Sequence, residues 1–178
     1  MRSTVTVTVT AVHVLFICTG NICRSPTAER LLRAYAAEGG HEVTASSAGT
    51  HGLVGHPMDP TAATVLQQLG GESDGFVARR ISARIAEDAD IVLTMTARHR
   101  DEVLAIAPRK LRTTFTLLEA AALVDAAGAR TVEEMADARP RHVVDVLDIE
   151  DPYRQDHGRY EEIGQQIADA LPIVLRVL

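Results

Sequence analysis

Tryptophan is absent, aromatic residues make up 3% of the chain, and Lys110 is the only lysine. Stacking on bases or sugars is therefore not a main mode of recognition. A net charge of −6 leaves no concentrated positive face to release counterions from nucleic-acid phosphates, so nucleic acid is excluded as a partner. Basic clusters such as Arg79-Arg80 and Arg98-His99-Arg100 read as solvated faces. Cysteine is nearly absent too: Cys18 and Cys23 are too few for a disulfide framework or for the four ligands of a structural zinc site. No run approaches the roughly 20 apolar residues of a membrane span. The N-terminus lacks the basic, apolar and cleavage-site order of a signal peptide. These absences predict a cytoplasmic chain without membrane insertion.

What is present is apolar content of 46% in 178 residues, enough for one core. No repeat, linker or low-complexity boundary divides the chain. Residues 11–178 are expected to form a single domain after an N-terminal extension, residues 1–10, whose strict alternation from Val5 to Thr10 suits an edge strand or a tail. The run Val12-His-Val-Leu-Phe-Ile17 reads as a buried strand. Ser25-Pro26 then offers an N-cap and a first-turn proline for a helix ending at Gly39-Gly40. Strand-like Glu42 to Ser46 follows, and Asp59-Pro60 caps a helix to Leu69. Further strands are expected at Asp90 to Met95 and Arg112 to Thr116. Helices are expected from Thr96 to Ala107, from Leu117 to Ala127 and from Arg159 to Leu178, the last kinked or interrupted by Pro172. Thr131-Val-Glu-Glu134 has capping-box spacing. This alternation predicts an α/β sandwich.

Chemistry concentrates at Cys18-Thr-Gly-Asn-Ile-Cys-Arg24-Ser25, where a strand ends and a helix begins. Backbone N–H groups of a turn entering a helix converge on a point, and the helix dipole adds positive charge, so a dianionic phosphate fits. The same field favours a thiolate at Cys18, the form that attacks phosphorus. Thr19, Gly20, Asn21, Ile22 and Cys23 would supply the cradle. The planar guanidinium of Arg24 would hold two phosphate oxygens, which lysine could not copy. Ser25 could hydrogen-bond the sulfur. Asn21 is the only asparagine, and beside Gly20 it suits a left-handed turn. In so arginine-rich a chain the Cys-x5-Arg spacing alone is weak. The strand before it, the Ser-Pro after it and the glycine and asparagine within it are separate requirements met together. For Cys23, packing against the first helix competes with a redox role beside Cys18. His51 and His56 lie in a glycine-rich loop without an obvious third ligand, so no metal is expected. No cofactor is expected either.

The stretch Cys18-Thr-Gly-Asn-Ile-Cys-Arg-Ser-Pro26 resembles the signature of low-molecular-weight protein tyrosine phosphatases. The likeness extends through Ser47-Ala-Gly-Thr50, Asp59-Pro60, Val77-Ala-Arg79, Asp90-Ile-Val-Leu-Thr-Met95 and Asp151-Pro-Tyr153. Leu53-Val-Gly55, Asp59-Pro-Thr-Ala62 and Arg98-His99 are most similar to the bacterial branch paired with tyrosine kinases of capsule and exopolysaccharide export. The resemblance implies a four-stranded parallel sheet flanked by helices, with the phosphate loop after the first strand. It implies hydrolysis of phosphotyrosine through a cysteinyl phosphate, and a phosphotyrosine-bearing protein, such as a bacterial tyrosine kinase, as partner. Either Asp-Pro aspartate is chemically a possible general acid. The resemblance selects Asp151, with Tyr153 lining the slot for the substrate ring. His51-Gly52-Leu53 stands where many members have an aromatic wall, which predicts a wider slot. Phe76 stands where a histidine often joins Asn21, Ser25 and Ser47 in a network bracing the loop, which puts that bracing and the role of Ser47 in question. The segment from Glu119 to Glu150 matches nothing in the family and has no assigned role.

Two rivals use the same loop. An arsenate reductase coupled to a small external thiol would leave Asp151-Pro-Tyr153 without a clear reason, and thioredoxin-coupled reductases of this fold need further cysteines that the chain lacks. A non-catalytic phosphotyrosine-binding module would not need Cys18, Arg24 and Asp151 together.

Overall fold

The computed structural model describes residues 10–145 and 148–178, so most of the alternating Val5 to Thr10 stretch lies outside the described residues. Strands β1 (Val12–Cys18), β2 (Val43–Gly49), β3 (Ile91–Thr94) and β4 (Thr114–Thr116) form one sheet in the order β2-β1-β3-β4. Every neighbouring pair is parallel. The near-continuous apolar run of β1 follows from burial on both faces. Val14 and Phe16 point into one hydrophobic layer, and Leu15 and Ile17 into the other. The larger layer holds side chains of α1 (Arg24–Gly39), α2 (Pro60–Gln68), α5 (Leu117–Asp125), α6 (Val132–Ala138) and α7 (His157–Val174). The smaller holds Ala86 of α3 (Ala83–Glu87) and Val103 of α4 (Ala97–Ile106). The chain leaves β1 for one neighbour and then crosses to the other, so the order reverses at the carboxyl end of β1. Such a switch point is where open α/β sheets bind ligands.

Several boundaries differ from expectation. Helix α1 begins at Arg24 after an N-cap at Cys23 that makes no side-chain cap bond, so Ser25 and Pro26 are the second and third helical residues. Ser25 is not a cap, and its hydroxyl is free for the loop. Strand β2 runs three residues past Ser46 because Ser47, Ala48 and Gly49 pair with Phe16, Ile17 and Cys18, tertiary pairing overriding weak strand propensity. Pro108–Thr113 is a 3-10 turn, which leaves only Thr114–Thr116 for β4. Pro172 does not interrupt α7, which continues through it to Val174 without the bond that the missing N–H would have made. At α6 the Thr131 side chain accepts from the Glu134 N–H, but the Glu134 carboxylate reaches the N–H of Arg130 instead of closing the box.

The segment from Glu119 acquires a structural role. Arg139 lies over the Phe115 ring at 4.0 Å, pairs with buried Glu119 at 3.0 Å and donates to the carbonyls of Leu111 and Thr114. These bonds tie the chain after α6 to β4, the edge of the sheet.

Candidate active site

The loop from Cys18 to Arg24 is shaped by a strap, residues 49–59, that crosses it. N–H groups of Thr50, His51, Leu53 and Asp59 donate to the carbonyls of Cys18, Thr19, Gly20 and Ile22 at 2.8–3.0 Å. The C=O and N–H of a trans peptide point to opposite sides. The N–H groups of the same peptide units therefore point away from the strap, into the curve of the loop. Asn21 takes the left-handed conformation at φ 57° that this curve requires. Gly49 is needed where the strap begins, because a Cβ there would sit 2.3 Å from the Thr19 carbonyl oxygen.

Beneath the loop, Cys18 Sγ lies 2.9 Å from Ser25 Oγ. Asn21 Nδ2 donates to Ser25 Oγ and to Ser47 Oγ, both at 2.9 Å. Asn21 Oδ1 accepts from the Arg79 N–H at 2.8 Å, and Arg79 Nε donates to the Ser47 carbonyl. The bracing is thus present without a histidine at position 76. Ser47 Oγ instead donates to Glu29 Oε2 at 2.5 Å, and Phe76 sits beneath Arg30.

Above the loop opens a cleft of about 180 Å³ lined by Cys18, Thr19, Gly20, Ile22, Cys23, Arg24, His51, Leu53, Asp151 and Tyr153. Of the residues expected at the site, only Asn21 and Ser25 are outside this lining, and both are buried directly below it. Arg24 is buried, with Nη1 donating to the Ile149 carbonyl at 2.8 Å and Nη2 lying 3.1 Å from Asp151 Oδ2. The guanidinium plane is thereby fixed by two partners 125 and more residues away. Asp151 is half exposed at the rim, and its Oδ1 accepts from the Tyr153 N–H. Asp59, the other Asp-Pro aspartate, caps α2 through the N–H groups of Thr61 and Ala62. Cys23 is buried; burial, then the charges of Asp59, Cys18 and Asp151, push its thiol well above the ordinary cysteine range. Tyr160 is raised likewise, by burial and then by Cys23. Both cysteines are free thiols.

His51 and Leu53, in place of an aromatic wall, line the cleft. The reading of Arg79-Arg80 and Arg98-His99-Arg100 as solvated faces holds for exposed Arg80 and Arg98 and fails for Arg79 and His99. The Arg79 bonds brace the loop. His99 is 4% exposed, and its Nε2 lies 2.8 Å from Thr19 Oγ1. Burial and then the Arg24 charge pull His99 down to about 4. Glu29, Arg79 and His99 are contributors that the sequence did not reveal. An acidic residue inside a helix and a histidine between two arginines both look solvated, and only the fold turns them inward. Among the described residues no group of three or more His, Cys, Asp or Glu side chains is placed to hold a metal ion, and no helix is long and apolar enough to cross a membrane.

The sequence profile of the low molecular weight phosphotyrosine protein phosphatases matches residues 13–134. The low molecular weight protein-tyrosine-phosphatase Etp of Escherichia coli (strain K12) is 46% identical over 95 residues, 53% of this chain. The match spans 62% of Etp's own length. The probable low molecular weight protein-tyrosine-phosphatase EpsP of Ralstonia solanacearum is 32% identical over 149 residues, 84% of this chain and 83% of EpsP. The crystal structure of the Erwinia amylovora tyrosine phosphatase AmsI superposes with a TM-score of 0.71 at 28% identity, covering 91% of this chain and 89% of that one.

Proposed function

The chain belongs to the low molecular weight phosphotyrosine protein phosphatase family, and we propose that it hydrolyses phosphotyrosine in proteins, with Cys18 as nucleophile, Arg24 as phosphate clamp and Asp151 as general acid and base. The observation that carries this reading is the convergence of the Cys18 sulfur, the buried Arg24 guanidinium and the Asp151 carboxyl on one cleft. Around that cleft the loop's carbonyls are held outward by residues 49–59.

A phosphate held by the loop N–H groups and by Arg24 has its negative oxygens neutralised in a half-enclosed site. The Cys18 thiolate attacks phosphorus in line, forming the S–P bond as the bond to the tyrosyl oxygen breaks. Asp151, from the rim, delivers a proton to that oxygen. Unassisted departure is slow, because the leaving phenolate's conjugate acid has a pKa near ~10. Asp151, now a carboxylate, takes a proton from the water that attacks the cysteinyl phosphate. The S–P bond breaks and inorganic phosphate leaves. Ser25 Oγ, at 2.9 Å, hydrogen-bonds the departing sulfur. Ile22, Leu53 and Tyr153 give the slot apolar walls suited to an aromatic ring. A phosphotyrosine-bearing protein is the substrate class, a bacterial tyrosine kinase the candidate partner, and the cytoplasm, where both thiols stay reduced, the setting.

The test is turnover of aryl phosphates, phosphotyrosyl peptides and arsenate with thiol donors by wild type, Cys18→Ser and Arg24→Lys. Both variants should lose turnover, and Cys18→Ser should retain binding of phosphate analogues. Normal turnover by the serine variant removes Cys18 from the mechanism, and thiol-dependent arsenate reduction without phosphatase activity replaces the reading.

A further inference from the structure

The turn that follows Asp151 carries an arginine where the backbone favours glycine. Residues 152–155 are closed by the Gln155 N–H donating to the Pro152 carbonyl at 2.9 Å, and Arg154, the third residue of the turn, lies at φ 63°. Glycine or asparagine suits that left-handed position, and a Cβ there is strained. The turn is held from several sides. The Gln155 side chain donates to the Asp151 carbonyl, the Tyr153 N–H donates to Asp151 Oδ1, and the Tyr160 hydroxyl of α7 is hydrogen-bonded to the Arg154 backbone. Strain persists where its surroundings over-determine it, and it gathers where the strained residue has a use.

The Arg154 side chain is exposed, with its guanidinium 5.2 Å from the centroid of the Tyr153 ring. Tyr153 lines the cleft and Arg154 does not. The charge therefore stands beside the slot wall, outside the space that takes the phosphorylated ring. Its charged neighbours in the chain are all engaged. Asp148 accepts the Ala97 N–H, Asp151 pairs with Arg24, and Glu150 and Glu162 pair with Arg159. Asp156 caps α7, and His157 faces Glu161. Among the described residues, Arg154 is the one charged side chain between 148 and 159 without an ion-pair or hydrogen-bond partner.

We propose that Arg154 is a specificity-determining residue, which pairs with the carboxylate of an acidic residue within one or two positions of the phosphotyrosine in the substrate protein. On the reading of the chain as a phosphotyrosine phosphatase, the substrate's main chain leaves the slot at its rim, beside Tyr153. Consecutive Cα atoms are about 3.8 Å apart, so a side chain flanking the phosphotyrosine reaches a guanidinium placed against that ring. The planar fork of arginine matches a carboxylate, and stacking on Tyr153 holds its plane before the substrate arrives, which reduces the ordering that pairing requires.

The experiment compares two phosphotyrosyl peptides of otherwise identical sequence, one with glutamate and one with glutamine on both sides of the phosphotyrosine. They are assayed on wild type, Arg154→Gly, Arg154→Gln and Arg154→Glu. Glycine takes this φ without strain, so Arg154→Gly should fold. The readout is the ratio of kcat/KM for the two peptides, because a merely structural loss slows both alike and leaves the ratio where it was. Wild type should favour the glutamate peptide by ~3-fold, the scale of one exposed ion pair, and the preference should shrink at high salt. The ratio should fall to about 1 in the glycine and glutamine variants and invert in Arg154→Glu. Equal ratios in wild type and the two neutral variants overturn the proposal, as does a wild-type enzyme that does not distinguish the peptides. Dissociation constants of both peptides on Cys18→Ser, with and without each Arg154 change, read the same preference without turnover. Failure of wild type to hydrolyse either peptide would thus count against the phosphatase reading, while the binding ratio still decides on Arg154.

Discussion

Acidification from pH 7 to pH 5 should destabilise the protein through His99. Burial first, and the Arg24 charge second, pull its imidazole down to about 4. In the charged ring both nitrogens carry a hydrogen, and the one on Nδ1 is buried without a hydrogen-bond partner. In the unfolded chain histidine titrates near ~6.5. Between these values the unfolded state binds a proton that the folded state refuses, so stability is present above pH ~6.5 and is lost as pH falls toward 4. At pH 5 the loss from this one group is about 2 kcal/mol, an order-of-magnitude figure. For a chain of this size that corresponds to roughly 4–8 °C in melting temperature. The assay is thermal unfolding of wild type and His99→Gln at both pH values. Glutamine offers Thr19 either a donor or an acceptor but cannot titrate, and all other acid-sensitive groups cancel in the comparison. Wild type should lose about 2 kcal/mol relative to the variant on going to pH 5. Parallel losses in the two proteins would refute the argument that buried neutral His99 holds Thr19.

Two further outcomes follow from the site. Asp151→Asn should slow substrates with poor leaving groups far more than p-nitrophenyl phosphate, whose phenolate departs with less proton assistance, while Asp59→Asn should be mild because asparagine also caps helices. Steady-state rates on both substrate types decide, and exchanged behaviours would move the acid to Asp59. For Cys23, peroxide inactivation followed by dithiothreitol should restore wild type, with a Cys18–Cys23 peptide 2 Da lighter, and should leave Cys23→Ser over-oxidised. Because the Cys23 thiol is pushed upward, bridging needs a rare thiolate and should accelerate as pH rises. Equal recovery of the two proteins without that peptide would leave Cys23 as a packing residue.

The parts of the fold that were legible from sequence are those governed by local rules. The apolar run of β1, the Asp59 cap and the Thr96 cap each state their structure within a few residues. The loop was legible because Asn21, Gly20 and Arg24 are unusual together. What was hidden depends on distant pairing. Nothing near Ser47 says that it extends β2 beside Phe16, since serine is a poor strand former and its partner lies 31 residues away. Ser25-Pro26 reads as a helix start, yet the helix begins at Arg24 because Ser25 Oγ is engaged with Cys18 and Asn21. Glu29 falls among the buried residues of α1 although its neighbour Arg30 reaches outward to the carbonyls of Glu72 and Asp74.

The placement of Asp151 shows how a distant segment is brought to the cleft without belonging to the sheet. The Ile149 N–H donates to the Met95 carbonyl at 2.8 Å, as a strand residue would at the end of β3. One residue earlier, Asp148 Oδ1 accepts the Ala97 N–H at 2.7 Å, satisfying a free donor in the first turn of α4. The Ile149 carbonyl then holds Arg24, and the Ile149 side chain is fully buried. Two consecutive residues thus fasten the acid loop to the carboxyl end of β3, the strand that pairs with β1. Asp151 is two residues beyond that anchor and Cys18 is the last residue of β1. The separation of the proposed acid and nucleophile is therefore set by a strand pair and a short tether.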